Sequence, residues 1–152
     1  MINMEIEKEI YNKKFENNHQ KVVVNLIYTY GWITNLLRLK LNKHSITLQQ
    51  YNVLRILRGQ YPNPATVNIL KERMLDKMSD ASRIVERLVQ KDLVKRCINN
   101  KDRRAVDILI NPKGLDILQK LDIEISLKDL LSKNLSDEET ITLSGLLDKM
   151  RG

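Results

Sequence analysis

Between 21 and 42 the apolar residues Val23, Leu26, Ile27, Tyr30, Ile33, Leu37 and Leu41 recur every three or four positions. That period predicts one face of a long helix. Val22, Val24, Leu36 and Leu39 spill beyond the stripe, and a helix apolar on more than one face calls for a second partner. Thr47-Leu48-Gln49-Gln50 then has the form of a capping box. It opens a helix that runs through Tyr51, Leu54 and Leu57 and stops near Gly59 and the Pro62-Asn63-Pro64 turn.

Ala65-Thr66-Val67 is β-prone but very short, and Asn68 is placed to cap a short helix through Leu70, Met74 and Leu75. Ser79, followed by Asp80, suits a further helix start: its hydroxyl oxygen can accept a free backbone N–H, and the carboxylate favours the positive end of the helix dipole. In that helix Ala81, Ile84, Val85 and Leu88 share one face. Ser82, Arg83, Glu86, Arg87 and Gln90 share the other. Two β-prone runs, 93–98 and 105–110, flank Asn99-Asn100-Lys101-Asp102-Arg103-Arg104 and predict a hairpin with a basic tip. Asn111-Pro112 restarts helix with Asn as cap and Pro at the first position, carrying Leu115, Leu118, Leu121 and Ile125. A capping box at Ser136-Asp137-Glu138-Glu139 opens the last helix, with Ile141, Leu143, Leu146, Leu147 and Met150.

At 152 residues, 42% hydrophobic and 30% charged, the chain is long enough to bury a core without staples. The longest apolar run near the start is Val22-Val23-Val24, and Glu5, Glu7 and Glu9 are unlike a signal peptide's basic start, so a cytoplasmic protein is expected, with no membrane partner. Cys97 is the single cysteine, and His19 and His44 are the only histidines. A disulfide framework and a paired-ligand zinc site are therefore excluded, and neither a metal nor a cofactor is expected.

The charge sharpens the picture. The net charge is +7, and from 71 to 104 eleven Lys and Arg face six Asp and Glu, so most of the surplus sits there. A basic surface of this kind attracts polyphosphate through counterion release. All the aromatic residues (Tyr11, Phe15, Tyr28, Tyr30, Trp32, Tyr51 and Tyr61) precede the basic segment. Single-strand readers stack bases on aromatic rings, so a basic region without them points to a duplex.

Two short helices, the second with arginines on its polar face, followed by a basic-tipped hairpin, make a winged helix-turn-helix. The second helix fits the major groove, where Arg pairs bidentately with guanine, and the wing reaches phosphates or the minor groove. Candidate DNA contacts are Ser79, Ser82, Arg83 and Arg87 on the helix, and Lys101, Arg103 and Arg104 on the wing.

The block Ser79-Asp80-Ala81-Ser82-Arg83-Ile84-Val85-Glu86-Arg87-Leu88-Val89-Gln90-Lys91-Asp92-Leu93-Val94-Lys95-Arg96 resembles the recognition-helix block of the MarR family of bacterial regulators. Asp102-Arg103-Arg104-Ala105-Val106-Asp107-Ile108-Leu109-Ile110-Asn111-Pro112-Lys113-Gly114 is similar to the family's wing signature, with Asn111 where threonine is common, and both residues suit a helix cap. Leu48-Gln49-Gln50-Tyr51-Asn52-Val53-Leu54 resembles the entry to its second helix. The order of elements agrees from about 21 onward.

The resemblance implies a mainly α fold with a small β-hairpin wing. It makes 1–152 a single MarR-type domain, with a winged lobe over 46–111 and a helical dimerisation region from 1–45 and 112–152. It implies a homodimer on a pseudo-palindromic operator, a repressor of transcription released by a small aromatic or anionic effector. Asp102 would support the wing by pairing with one of its arginines, and Arg104 or Arg103 would enter the minor groove. Tyr28, Trp32, His44 and Tyr51 come from the helices that would line an effector cleft, and core packing is the competing role for them. Cys97, in the first wing strand, is expected to be a buried, inert thiol, with Arg96 beside it able to lower its pKa.

An enzyme is not expected: both histidines precede Cys97, there is no Gly-x-Ser-x-Gly, and Gly31, Gly59, Gly114, Gly145 and Gly152 are too scattered for a phosphate loop. The competing function is an adaptor or antirepressor that binds protein through the same helix.

Overall fold

The computed structural model describes residues 4–12, 14–99 and 106–152. A short helix, α1 (Ile6–Glu9), lies against the long α2 (Asn18–Leu41), whose first turn is closed by Asn17 accepting from the Gln20 amide. Ile6 is buried, the Tyr28 hydroxyl donates to Glu9 at 2.7 Å, and Lys21 pairs with Glu7. A single 3₁₀ turn (Asn42–His44) and Ser45, left-handed at φ 56°, lead into α3 (Leu48–Gln60). The predicted Thr47/Gln50 capping box is present in full. The Gln50 side chain, 3% exposed, also accepts from Lys91 at 3.2 Å, so this buried amide is satisfied.

The lobe continues through β1 (Ala65–Thr66), α4 (Val67–Arg73), α5 (Ala81–Gln90), β2 (Val94–Ile98) and β3 (Val106–Ile110). The sheet is antiparallel in the order β1-β3-β2, with Ala65 opposite Ile108 and Val94 opposite Ile110. Ile108 and Ile110 alternate inward from the central strand. They meet Val53, Leu54 and Leu57 of α3, Leu70 of α4, and Ala81, Val85 and Leu88 of α5 in one core. Leu118 and Leu121 of α6 (Pro112–Glu124) and Leu41 at the end of α2 close that core. The chain ends with α7 (Leu127–Leu131) and α8 (Asp137–Arg151), the latter opened by the predicted Ser136/Glu139 capping box. No helix among the described residues is long and apolar enough to cross a membrane.

Several local expectations are corrected. Thr66, not Asn68, caps α4, because the strand end at Thr66 already has the extended backbone a cap needs and its hydroxyl accepts from Ile69. Asp80, not Ser79, caps α5, since the Ser79 hydroxyl donates to Asp76 at 2.6 Å. Asn111 has cap geometry, but its side chain donates to Asp92 rather than capping α6. Cys97 is exposed, because the core covers only the first residue of β2, Val94. Of the α2 stripe only Leu41 is buried within the chain, and Val23, Ile27 and Tyr30 are open to solvent.

Candidate nucleic-acid interface

The arrangement is built outward from α5. Ala81, Val85 and Leu88 are 0% exposed, which fixes the helix against the core and turns Ser82, Arg83, Glu86, Arg87 and Gln90 to solvent. Asp80 holds the first turn by accepting from the Arg83 amide at 3.1 Å. The last turn closes through Asp92, left-handed at φ 59°, where the Leu93 amide donates back to Leu88 at 3.0 Å. Neither Arg83 nor Arg87 joins an ion pair among the described residues. Two uncommitted guanidinium groups on a rigid face are available to phosphates or guanine edges.

The turn before α5 is also rigid. Asp76 accepts from the Ser79 hydroxyl and from the Met78 amide at 3.0 Å, and these bonds hold its carboxyl below the usual carboxylate range. Ser79 is therefore engaged within the turn, whereas Ser82 is free on the exposed face. Lys101, Arg103, Arg104 and Asp102 lie outside the described residues. At the foot of the wing, Lys95 and Arg96 are exposed on β2 and Asn99 donates to Asp107 at 2.9 Å.

The four aromatic and histidine candidates divide between different surroundings. Tyr28 and Trp32 line a hollow of about 170 Å³ with Met4, Ile6 and Asn134. The Glu9 carboxylate, accepting from the Tyr28 hydroxyl, pushes the phenol up from its ordinary pKa. Tyr51 is 5% exposed and packs in the lobe core, with the Arg55 guanidinium 5.7 Å from its ring centroid. His44 meets Glu124 of α6 at 2.8 Å, and that contact holds the Glu124 carboxyl below its ordinary range. A second cleft, of about 310 Å³, opens between α2 and the α6–α7 junction, lined by Leu36, Leu37, Leu39, Lys40, Ile123 and Ile125 among others. Sequence reasoning did not find it, since the pairing of those two helices is a long-range event.

Comparison by sequence with curated proteins finds no match. Residues 46–106 match the model of the MarR family. The winged lobe is similar to that of the MarR family. Beyond the lobe, the fold is shared with solved MarR structures over most of this chain. The apo form of MarR from E. coli is 29% identical, with 83% of this chain and 94% of that chain covered and a TM-score of 0.65. A mutant MarR from E. coli complexed with operator DNA is 28% identical, covering 90% of this chain and 99% of that one, with a TM-score of 0.75. BpsR from Bordetella bronchiseptica, whose DNA binding is regulated by 6-hydroxynicotinic acid, is 19% identical. It covers 91% and 98% at a TM-score of 0.74 and shows the shared fold. The MarR fold is mainly helical with a small antiparallel wing, as expected from the sequence.

Proposed function

We propose that this chain is a sequence-specific, double-stranded-DNA-binding regulator of transcription that acts by binding and not by catalysis. The observation that carries the reading is the α5 face: Ser82, Arg83 and Arg87 are exposed on a helix fixed by three wholly buried residues. This is the geometry a recognition helix needs in the major groove. Likeness to MarR in its complex with operator DNA supports it. Ser79 orders the turn before the helix, Lys101, Arg103 and Arg104 supply wing contacts, and Asp102 supports the wing.

The same reading makes the protein a cytoplasmic homodimer on a pseudo-palindromic operator, with 1–45 and 112–152 as dimerisation region and 46–111 as DNA-binding lobe. Supporting it, α8 buries no residue within the chain, and Ile141 and Leu146 on it, like Ile27 and Tyr30 on α2, are more than half exposed. A second copy would cover both helices. The regulator acts as a repressor, and a small aromatic or anionic effector entering beside α2, near Tyr28 and Trp32 or in the cleft at Lys40, releases it from DNA.

The test is an anisotropy titration of the full chain on DNA from upstream of its own gene and on scrambled duplex, at two salt concentrations. Tighter binding to the native fragment with a steep salt dependence is expected. Weak binding to both with a flat salt slope would overturn the reading in favour of a protein-binding adaptor.

A further inference from the structure

The turn between α4 and α5 presents apolar side chains to solvent among hydrogen-bonded polar ones. Its polar groups are engaged internally: Asp76 accepts from Ser79 and Met78, Lys77 donates to the Glu72 carbonyl, and the Leu75 amide donates to Asn52 of α3 at 3.0 Å. Asp76, Lys77 and Asp80 are nonetheless exposed, and two large apolar side chains are exposed among them. Leu75 is 87% exposed and Met78 94% exposed on the same turn. Single exposed apolar residues are ordinary, but two of the most exposed in the chain share a hydrogen-bonded turn that leads into the basic face of α5. Met78 precedes the Asp80 cap by two residues, next to the first helical turn with Ser82 and Arg83.

We propose that Met78 is a specificity-determining residue that packs against the 5-methyl group of thymine in the major groove, an inference that rests on the DNA-binding reading above. The N-terminal turn of a recognition helix is the part that approaches base edges. The thymine methyl is the apolar feature presented there, and direct readout includes apolar contact with it. A thioether chain suits the task, since it is unbranched, polarizable and able to fill an irregular gap. The Asp76 hydrogen bonds hold the Met78 backbone in place, so little ordering entropy opposes the contact. Over 71–87 the five cations Lys71, Arg73, Lys77, Arg83 and Arg87 outnumber the four carboxylates Glu72, Asp76, Asp80 and Glu86, a small surplus that favours a polyanion over a protein surface without an acidic patch.

The test removes each side of the contact separately. Duplexes that bind the full-length wild type are selected from a randomised pool, and the selected duplex is remade with deoxyuridine for every thymine. The sites are expected to hold thymine at fixed positions, and wild-type protein should bind the uracil duplex more weakly, by about fourfold for each half-site, the worth of one buried methyl-sized group. Met78→Ala should bind the thymine duplex more weakly and no longer distinguish the two. Because Met78 is exposed, this variant should keep the wild-type circular dichroism spectrum. Sites without fixed thymine, equal wild-type affinity for both duplexes, or full discrimination retained by Met78→Ala and lost in Leu75→Ala would each overturn the assignment while leaving DNA binding intact. Failure to enrich any duplex would instead overturn the DNA-binding reading and this inference with it.

Discussion

An alanine at Gly114 would place its Cβ 2.4 Å from the Leu93 carbonyl oxygen and 2.8 Å from Ile110 Cγ1. The first neighbour is backbone and cannot swing aside. Its carbonyl accepts from the Asn111 amide at 2.9 Å, and the Leu93 amide is tied to Leu88 at 3.0 Å, so the end of α5, the start of β2 and the start of α6 are fixed together. Relieving the clash requires α6 to move outward. Overpacking costs about 1–3 kcal/mol, and stretching the Asn111 bond adds about 1 kcal/mol. The better helix propensity of alanine returns about 1 kcal/mol. The net expectation for Gly114→Ala is a loss of about 2 kcal/mol, or about 4–8 °C in Tm for a chain of this length. Gly59→Ala is the internal control, because nothing lies within 4 Å of its Cβ, and it should gain about 0.5–1 kcal/mol. Thermal and urea denaturation of the three proteins at one protein concentration decides the matter, since dimerisation would make Tm concentration-dependent. If Gly114→Ala is as stable as Gly59→Ala, the close approach of α6 to Leu93 is refuted.

Arg104→Ala should weaken operator binding about tenfold or more and lower the salt slope by about one ion, with the oligomeric state unchanged by sedimentation; unaltered affinity would remove the wing from the interface. Arg87→Ala should change which half-site sequence is preferred in a binding selection, whereas a uniform loss across sequences would make it a phosphate contact. Glu124 is held below its ordinary pKa of 4.5 by His44, so its contribution to stability is present above 4.5 and is lost as the pH falls through the lowered value. Urea denaturation across this acid range should therefore show a shallower loss for His44→Ala than for wild type, and parallel curves would exclude the coupling.

Sequence alone determined the elements whose signals are local. The Thr47 and Ser136 capping boxes, the period of three and four along α3, α5 and α6, and the β-prone runs of the hairpin each depend on residues within a few positions of one another. The order helix, helix, basic hairpin was therefore enough for the winged-helix class. Where two local signals competed, the tertiary structure decided. Ser79 and Asp80 are both good caps, and only the folded turn gave Ser79 to Asp76 and the helix to Asp80. Asn111 lost its capping role to Asp92, nineteen residues earlier in the chain. Cys97 lies in a β-prone run and is expected to be buried, yet among the described residues nothing packs over β2 beyond Val94. Tyr28, Trp32, His44 and Tyr51 share helical spacing, but α1 and α6 assign them to a hollow, an ion pair and the core. The exposure of Leu75 and Met78 had no sequence signal at all, because burial is a property of what packs against a side chain and not of the side chain's own chemistry.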